Sequence, residues 1–417
     1  MSIQSLPKSW QISTVASLCK MQNGHSFGPN DWDVTGLPII RIQNLNGGKE
    51  FDYFSGIPDP RWIVEPGQLL FSWAGTKGVS FGPFIWRGPR GVLNQHIFKV
   101  LASENISKEW LYWALKDVTS RIEAQAHGFK ATLVHVKKSD IERQQLLVPT
   151  GAEQRYIAQA LSTWEQAIAI SEVMLSNSKK QRQMIVHLLT SGKLQLADFQ
   201  NSAEKFKTAH GSIPSNWSYP NIGEIAVEVS QKLRDGEPLP VLSCTKYTGL
   251  VDSLSYFKKQ VFSKDISTYK VVSRDCFVYA TNHIEEGSIG YQDLYEKAIV
   301  SPMYTVFKTH GEIDDGYLYQ LLKTEKYRQI FSAATNASVD RRGSLRWKEF
   351  KKIHVPLPPL AEQRAAISVF DTFYSEVTNL EKQLVTLKAE KNALMTILLT
   401  GKRRLTRNSL PHVEAST

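Results

Sequence analysis

Two stretches of this chain are written in the same register. Ala152-Glu153-Gln154-Arg155 opens a helical pattern that closes at Gly192-Lys193, and Ala361-Glu362-Gln363-Arg364 opens another that closes at Gly401-Lys402. The openings and the closings are both 209 residues apart, so the segments align without a gap. In the second, Phe370, Phe373, Val377, Leu380, Leu384, Leu387, Leu394 and Leu398 step by three and four, the spacing of a coiled-coil seam, broken only by Lys391. The first puts Trp164, Ile168, Leu175, Ile185 and Leu189 at matching places, with the polar Ser171, Ser178 and Arg182 among them. Roughly forty helical residues at about 1.5 Å each make a rod of about 60 Å, too long to hide in one ordinary domain. Each rod therefore needs a partner, and the pattern predicts that the two pair with each other.

The segments in front of the rods repeat as well. Pro7 and Trp10 match Pro214 and Trp217 at an offset of 207, and Val64, Leu70 and Leu111-Tyr112 match Val271, Phe277 and Leu318-Tyr319 at the same offset. Phe98-Lys99 matches Phe307-Lys308 at 209. A unit of one globular domain and one rod thus occurs twice. The division predicted is a first globular domain over 1–148, a first long helix over 149–197 and a linker over 198–212, then a second globular domain over 213–356, a second long helix over 357–405 and a tail over 406–417. Pro38–Gln43, Gln68–Trp73 and Asn94–Val100 read as short strands bounded by Gly, Pro or Asn, and Trp110–Lys116 starts a helix. The expected class is α+β: two mixed domains separated by two long helices that form an antiparallel coiled coil, with an internal pseudo-two-fold.

Composition narrows the function. At 417 residues and 42% hydrophobic the chain can build several packed cores. Cys19, Cys244 and Cys276 are odd in number and in no metal-ligand spacing, so neither a disulfide framework nor a zinc site is expected. The first residues lack the pattern of a signal peptide and no apolar run approaches a membrane span, which points to the cytoplasm. The net charge of +10 is spread along the chain and hints at an anionic partner.

Catalytic motifs are weak. Gly78-Val79-Ser80-Phe81-Gly82 matches a nucleophile elbow in letters, but Pro83 and Gly88-Pro89 forbid the helix that must follow, so a β-hairpin is expected there. Asp340 with Glu349-Phe350-Lys351 imitates a metal-dependent nuclease without a counterpart in the duplicate, and Lys348–Lys352 reads as a solvated connection. Phosphate-loop, dinucleotide and zinc-protease motifs are missing from the sequence. Basic and amide side chains lie beside aromatics in the stretches where the two globular copies differ. Arg41, Gln43, Asn44, Lys77, Arg87, Arg90 and Lys130 are the candidates for DNA contact in the first domain. Lys246, Tyr247, Lys258, Lys259, Asn282, His283, Arg341 and Arg342 are those of the second. Arg and Lys suit phosphates and guanine edges, Asn and Gln suit adenine. No residue is assigned to catalysis or to a metal.

With the rods, the proline-rich approaches Val148-Pro149-Thr150 and Leu357-Pro358-Pro359-Leu360, the paired Pro…Trp starts, Phe257-Lys258-Lys259…Phe262-Ser263-Lys264 and Val300–Phe307 in view, the chain resembles a specificity subunit of a type I restriction-modification system over nearly its whole length. The first copy departs from the pattern where Thr150-Gly151 replaces the Pro-Leu of the second. The resemblance implies a non-catalytic subunit with two target-recognition domains, each reading half of a split, asymmetric double-stranded DNA site. It also implies two methyltransferase subunits using S-adenosylmethionine, and restriction subunits using ATP and Mg2+, as partners, with none of these cofactors on this chain. A stand-alone DNA-modifying enzyme and a coiled-coil adaptor without DNA contact are the competing readings.

Overall fold

A computed structural model describes residues 7–125, 133–200, 204–209, 211–233, 239–336 and 343–406. The chain divides into two compact units, one formed by Met1–Glu172 with Lys382–Thr417, the other by Val173–Glu381.

Among the described residues of the first unit, two minor two-stranded ladders accompany eight principal strands: β1 (Cys19–Asn23), β2 (Leu37–Ile40), β3 (Tyr53–Phe54), β4 (Ile63–Val64), β5 (Leu69–Ser72), β6 (Gly82–Ile85), β7 (Gly91–Leu93) and β8 (Ile97–Ala102). They form two four-stranded sheets, an antiparallel one in the order β1-β8-β5-β6 and a mixed one in the order β3-β2-β7-β4. In the mixed sheet β2 and β7 are parallel and the outer pairs antiparallel. The second unit repeats this in β9 (Ala226–Glu228), β10 (Val241–Thr245), β11 (Gly249–Asp252), β12 (Lys270–Ser273), β13 (Phe277–Ala280), β14 (Ile289–Tyr291), β15 (Lys297–Val300) and β16 (Tyr304–Thr309). Its sheets run β9-β16-β13-β14 and β11-β10-β15-β12, again with one parallel pair, β10 with β15. Every strand of these two sheets takes the place of the one eight before it. The duplication seen in scattered letters is a duplication of topology.

Helix α1 (Lys108–Gln125) covers the antiparallel sheet of the first unit, burying Trp110, Leu111, Trp113, Leu115 and Val118. Its counterpart is broken in two, α3 (Asp315–Leu322) and α4 (Glu325–Asn336), with Lys323 and Thr324 at the break. The long helices are α2 (Gly151–Thr190) and α5 (Leu360–Leu399), 40 residues each. Each ends at a glycine in the left-handed region, Gly192 at φ 66° and Gly401 at φ 69°, the usual way to satisfy the last carbonyls of a helix.

Each core takes in turns from both long helices. In the first unit Ile157, Ala158 and Leu161 of α2 join Met395, Leu398 and Leu399 of α5 around Trp110 and Trp113. In the second, Ala366 and Phe370 of α5 join Val186 and Leu189 of α2 around Phe277, Phe307 and Phe350. The helices are therefore built into the domains rather than appended to them.

Three local expectations need correction. The strand read over Pro38–Gln43 stops at Ile40, because Ile42–Leu45 turns into one helical turn held by Asn44. The stretch read as a linker over 198–212 holds part of a hairpin, Lys205–Thr208 paired with Gly211–Pro214. The segment Lys348–Lys352, read as solvated, contains Phe350, which is fully buried among Tyr279, Phe307 and Phe331. Among the described residues no helix is long and apolar enough to cross a membrane.

Candidate nucleic-acid interface

The Ala-Glu-Gln-Arg opening is a structural joint, and its chemistry is the same in both copies. The indole N–H of Trp10 donates to Glu153 Oε2 at 3.1 Å, and that of Trp217 donates to Glu362 Oε2 at 3.1 Å. The neighbouring glutamine bridges two backbones: Gln154 accepts from the Ser107 N–H at 2.8 Å and donates to the Pro149 carbonyl at 3.1 Å. Gln363 accepts from the Asp314 N–H at 2.8 Å and donates to the Pro358 carbonyl at 2.8 Å. The start of each long helix is thereby fastened to the first residues of its domain and to the start of α1 or α3. The closing glycine completes the joint. A Cβ on Gly401 would lie 2.6 Å from Pro7, and one on Gly192 would lie 2.4 Å from Pro214.

The second carboxylate oxygen is where the copies differ. Arg404 Nε donates to Glu153 at 2.7 Å, whereas Gln195, at the equivalent place, donates to Glu362 at 3.1 Å. Burial pushes the Glu153 carboxyl up, but Arg404, Thr150 and Trp10 together bring it below the ordinary value. For Glu362 burial prevails over the neutral donors Gln195 and Trp217, and its carboxyl stays above the ordinary value. These buried carboxylates are spent on holding the frame. From the sequence the motif reads only as a helix start; the signal that could have assigned it a joint is the Trp that opens each domain, 143 residues before the Glu in one copy and 145 in the other.

Along the long helices the seam positions Trp164, Ile168, Leu175, Ile185, Leu189, Phe373, Val377, Leu380, Leu384, Leu387, Leu394 and Leu398 are all buried or half-buried. The helices run antiparallel in each unit, since Glu172 meets Lys388 at 2.7 Å and Glu165 meets Lys391 at 2.6 Å in one, and Lys179 meets Glu381 at 2.7 Å in the other. The seam-breaking basic residues have matching roles. Lys391 bonds Glu165 and lies 5.7 Å from the Trp113 ring of α1, and its counterpart Arg182 lies 5.6 Å from the Tyr374 ring and donates to Gln320 of α3. Each ties the helix pair to a domain.

The candidate DNA contacts fall mostly in two equivalent loops. Arg41, Gln43 and Asn44 lie in the β2–β3 loop, the counterpart of the β10–β11 turn that carries Lys246 and Tyr247. Lys77 lies between β5 and β6, where the second unit has Asn282 and His283 between β13 and β14. Their freedom to meet a ligand differs. Asn44 is buried, accepting from the Arg41 N–H and donating to the carbonyls of Gly48 and Glu50, so it builds the loop and has no group left to read a base. Arg41 is paired with Asp52 and lies over the Trp32 ring. Lys77 donates to the Glu123 carbonyl of α1 at 2.9 Å, and Arg90 pairs with Glu65 at 3.1 Å. Gln43 and Arg87 are exposed.

In the second unit Tyr247 is 85% exposed at the tip of its turn with the Lys246 ammonium 5.4 Å from its ring. His283 lies 3.5 Å from Glu286, and Asn282 beside it is half-buried. Lys258 and Lys259 are exposed after the short helix Ser253–Phe257, next to exposed Tyr256 and Phe257, with Lys258 itself in the left-handed region at φ 57°. Lys130, Arg341 and Arg342 lie outside the described residues, as does Asp340 of the nuclease-like pattern. Ser80, in the elbow-like stretch, is buried and its hydroxyl accepts from the Thr76 N–H at 2.7 Å. Cys19 and Cys276 are buried and Cys244 is half-buried against a core, and burial pushes the Cys19 and Cys244 thiols up to about 12.

Exposed cations beside exposed aromatics on loop tips suit a polyanion with stackable bases better than a small molecule. Comparison with known proteins agrees. Over 424 residues the chain is 26% identical to the type I restriction enzyme EcoBI specificity subunit of Escherichia coli, covering 95% of this chain and 85% of that one. It is 23% identical to the MjaVIII specificity subunit of Methanocaldococcus jannaschii, covering 96% and 94%. The fold matches the S subunit of a type I system from M. genitalium, with TM-score 0.52, 18% identity and coverage of 96% and 98%. A chain solved in work on assembly and conformational transition of the type I R-M system matches with TM-score 0.56, 15% identity and coverage of 96% and 100%. The family described as type I restriction modification DNA specificity domain matches twice, over residues 7–178 and 214–389, and to that family this chain belongs.

Proposed function

We propose that this chain is the DNA sequence-recognition subunit of a type I restriction-modification complex, with each globular domain reading one half of a split, asymmetric site. The observation that carries this is the pairing of one strand topology with two unlike sets of loops. Two copies of β3-β2-β7-β4 and β1-β8-β5-β6 give equivalent frames, yet Arg41, Gln43 and Lys77 on one stand where Lys246, Tyr247, Asn282 and His283 stand on the other. A duplicated reader with unlike loops recognises two unlike sequences.

In this reading the antiparallel long helices set the separation of the half-sites, and the chain itself transfers no methyl group. Methyl transfer from S-adenosylmethionine to adenine belongs to two methyltransferase subunits, and ATP- and Mg2+-dependent restriction to further subunits. The proposed boundaries follow the sequence: recognition domains over 1–148 and 213–356, helices over 149–197 and 357–405. The buried carboxylates Glu153 and Glu362, already engaged by Trp10 and Trp217, support a non-catalytic role.

The test is to incubate the purified chain with S-adenosylmethionine and DNA, with and without its methyltransferase partner, and to map modified adenines. A split site modified only when both proteins are present supports the proposal. Methyl transfer by the chain alone contradicts it.

A further inference from the structure

Lys323 stands at the break between α3 and α4, where α1 of the first unit runs on without interruption. Its duplicate is Lys116, at an offset of 207, which lies within α1 with its ammonium 5.4 Å from the Tyr112 ring. Lys323 does something else. Its ammonium donates to the Lys246 carbonyl at 2.8 Å and to the Gly287 carbonyl at 2.9 Å. The first carbonyl belongs to the β10–β11 turn, whose tip is the exposed Tyr247; the second ends the β13–β14 loop that carries Asn282 and His283.

Two further contacts fix the same loops. Arg328 of α4 donates to the Glu285 carbonyl at 3.2 Å while its other nitrogens hold Glu325. Gly249, at φ 79°, brings the turn so close to α3 that a Cβ there would lie 2.5 Å from the Tyr319 hydroxyl. No carboxylate pairs with Lys323 among the described residues, and burial pushes its ammonium below the ordinary value. A half-buried cation held by two loop carbonyls alone is a costly way to fill space, since charge is normally buried with a counter-ion. It does give one rigid point from which two loops hang.

We propose that Lys323 is a positioning residue that joins the β10–β11 turn and the β13–β14 loop into a single DNA-reading surface of the second domain. Without the clamp each loop keeps bonds of its own: Thr245 closes the β10–β11 turn through the Thr248 N–H at 3.2 Å and the Gly249 carbonyl at 3.0 Å, and in the β13–β14 loop the His283 N–H donates to the Ala280 carbonyl and the Glu286 N–H to the His283 carbonyl, both at 3.1 Å. What would be lost is their mutual placement, and bases are read by groups held within a fraction of an ångström. This rests on the proposed function.

The experiment uses the full chain assembled with its methyltransferase partner, and reads modified sites across a random DNA library. Lys323→Met keeps the stem and removes the donors. The expected result is at least a tenfold loss of discrimination at one or more positions of the half-site read by the second domain, with the other half-site unchanged. Lys323→Arg, which keeps a cation with several donors, restores most of it. Tyr247→Ala, at a tip too exposed to disturb folding, weakens binding about tenfold alone and less than twofold when added to Lys323→Met. Undiminished discrimination in Lys323→Met, equal blurring of both half-sites, or independent effects of Lys323→Met and Tyr247→Ala would each overturn the clamp. A wild-type complex that reads no split site would instead overturn the functional reading beneath it.

Discussion

Glu172 of α2 and Lys388 of α5 face each other at 2.7 Å, and the duplicate of that pair, Glu381 with Lys179, closes at the same distance. The four side chains are about half exposed, between 49% and 51%, so each pair carries orientation more than stability. Reversing one charge, Glu172→Lys, is expected to cost about 0.5–1 kcal/mol in urea unfolding, and Lys388→Glu added to it should recover that loss. A second reversal that deepens the loss would mean the helices are not apposed in this register.

Lys391 and Glu165 form a drier pair, with the lysine side chain 14% exposed. Removing only the acid strands a cation in the seam, at a cost of about 1–3 kcal/mol. Glu165→Ala should therefore destabilise more than Glu165→Ala with Lys391→Met, where an apolar chain of similar length fills the seam. Thermal unfolding of the two variants decides the order.

The paired joints predict opposite responses to acid. Glu153 sits below its ordinary value, so its contribution is present above the unfolded pKa near 4.5 and is lost as pH falls through the lower folded value. Glu362 sits above it, so its ionised form is a liability that grows as pH rises from about 4.5 through the folded value. Stability measured from pH 3 to 7 should thus flatten at the acid end in Glu153→Gln, while in Glu362→Gln the loss toward neutral pH should shrink. Trp10→Ala and Trp217→Ala, which empty nearly identical slots at 4% exposure, should each cost about 3–5 kcal/mol.

If the helices act as a ruler, their length sets the gap in the DNA site. Four residues inserted into both α2 and α5 add about 6 Å. That is expected to widen the preferred gap by about two base pairs at about 3.4 Å each. Adenine mapping that finds the gap unchanged would remove the ruler from the account.

The repeat, the two long helices and their seam were legible because a helix 40 residues long writes its period many times over. Phe370, Val377 and Leu398 could be placed from spacing alone. The eight-strand frame was only partly legible: β3 and β4 are two residues each, too short for a period to show. Lys391 and Arg182 looked like errors in the seam because spacing along one helix says nothing of Trp113 or Tyr374 on another. Candidate contacts fared unevenly for a related reason. Composition cannot tell Asn44, whose amide is consumed by Arg41, Gly48 and Glu50, from Tyr247, which stands clear of its turn. Lys323 is invisible to spacing and composition because its value lies in two backbone carbonyls that are distant in sequence.

The most direct test of the central claim is an exchange of residues 1–148 for the first domain of another specificity subunit, followed by genome-wide mapping of methylated adenines. Two independent readers on one frame predict a new sequence in one half of the site, with the other half and the gap preserved. A change in both halves, or in neither, would contradict it.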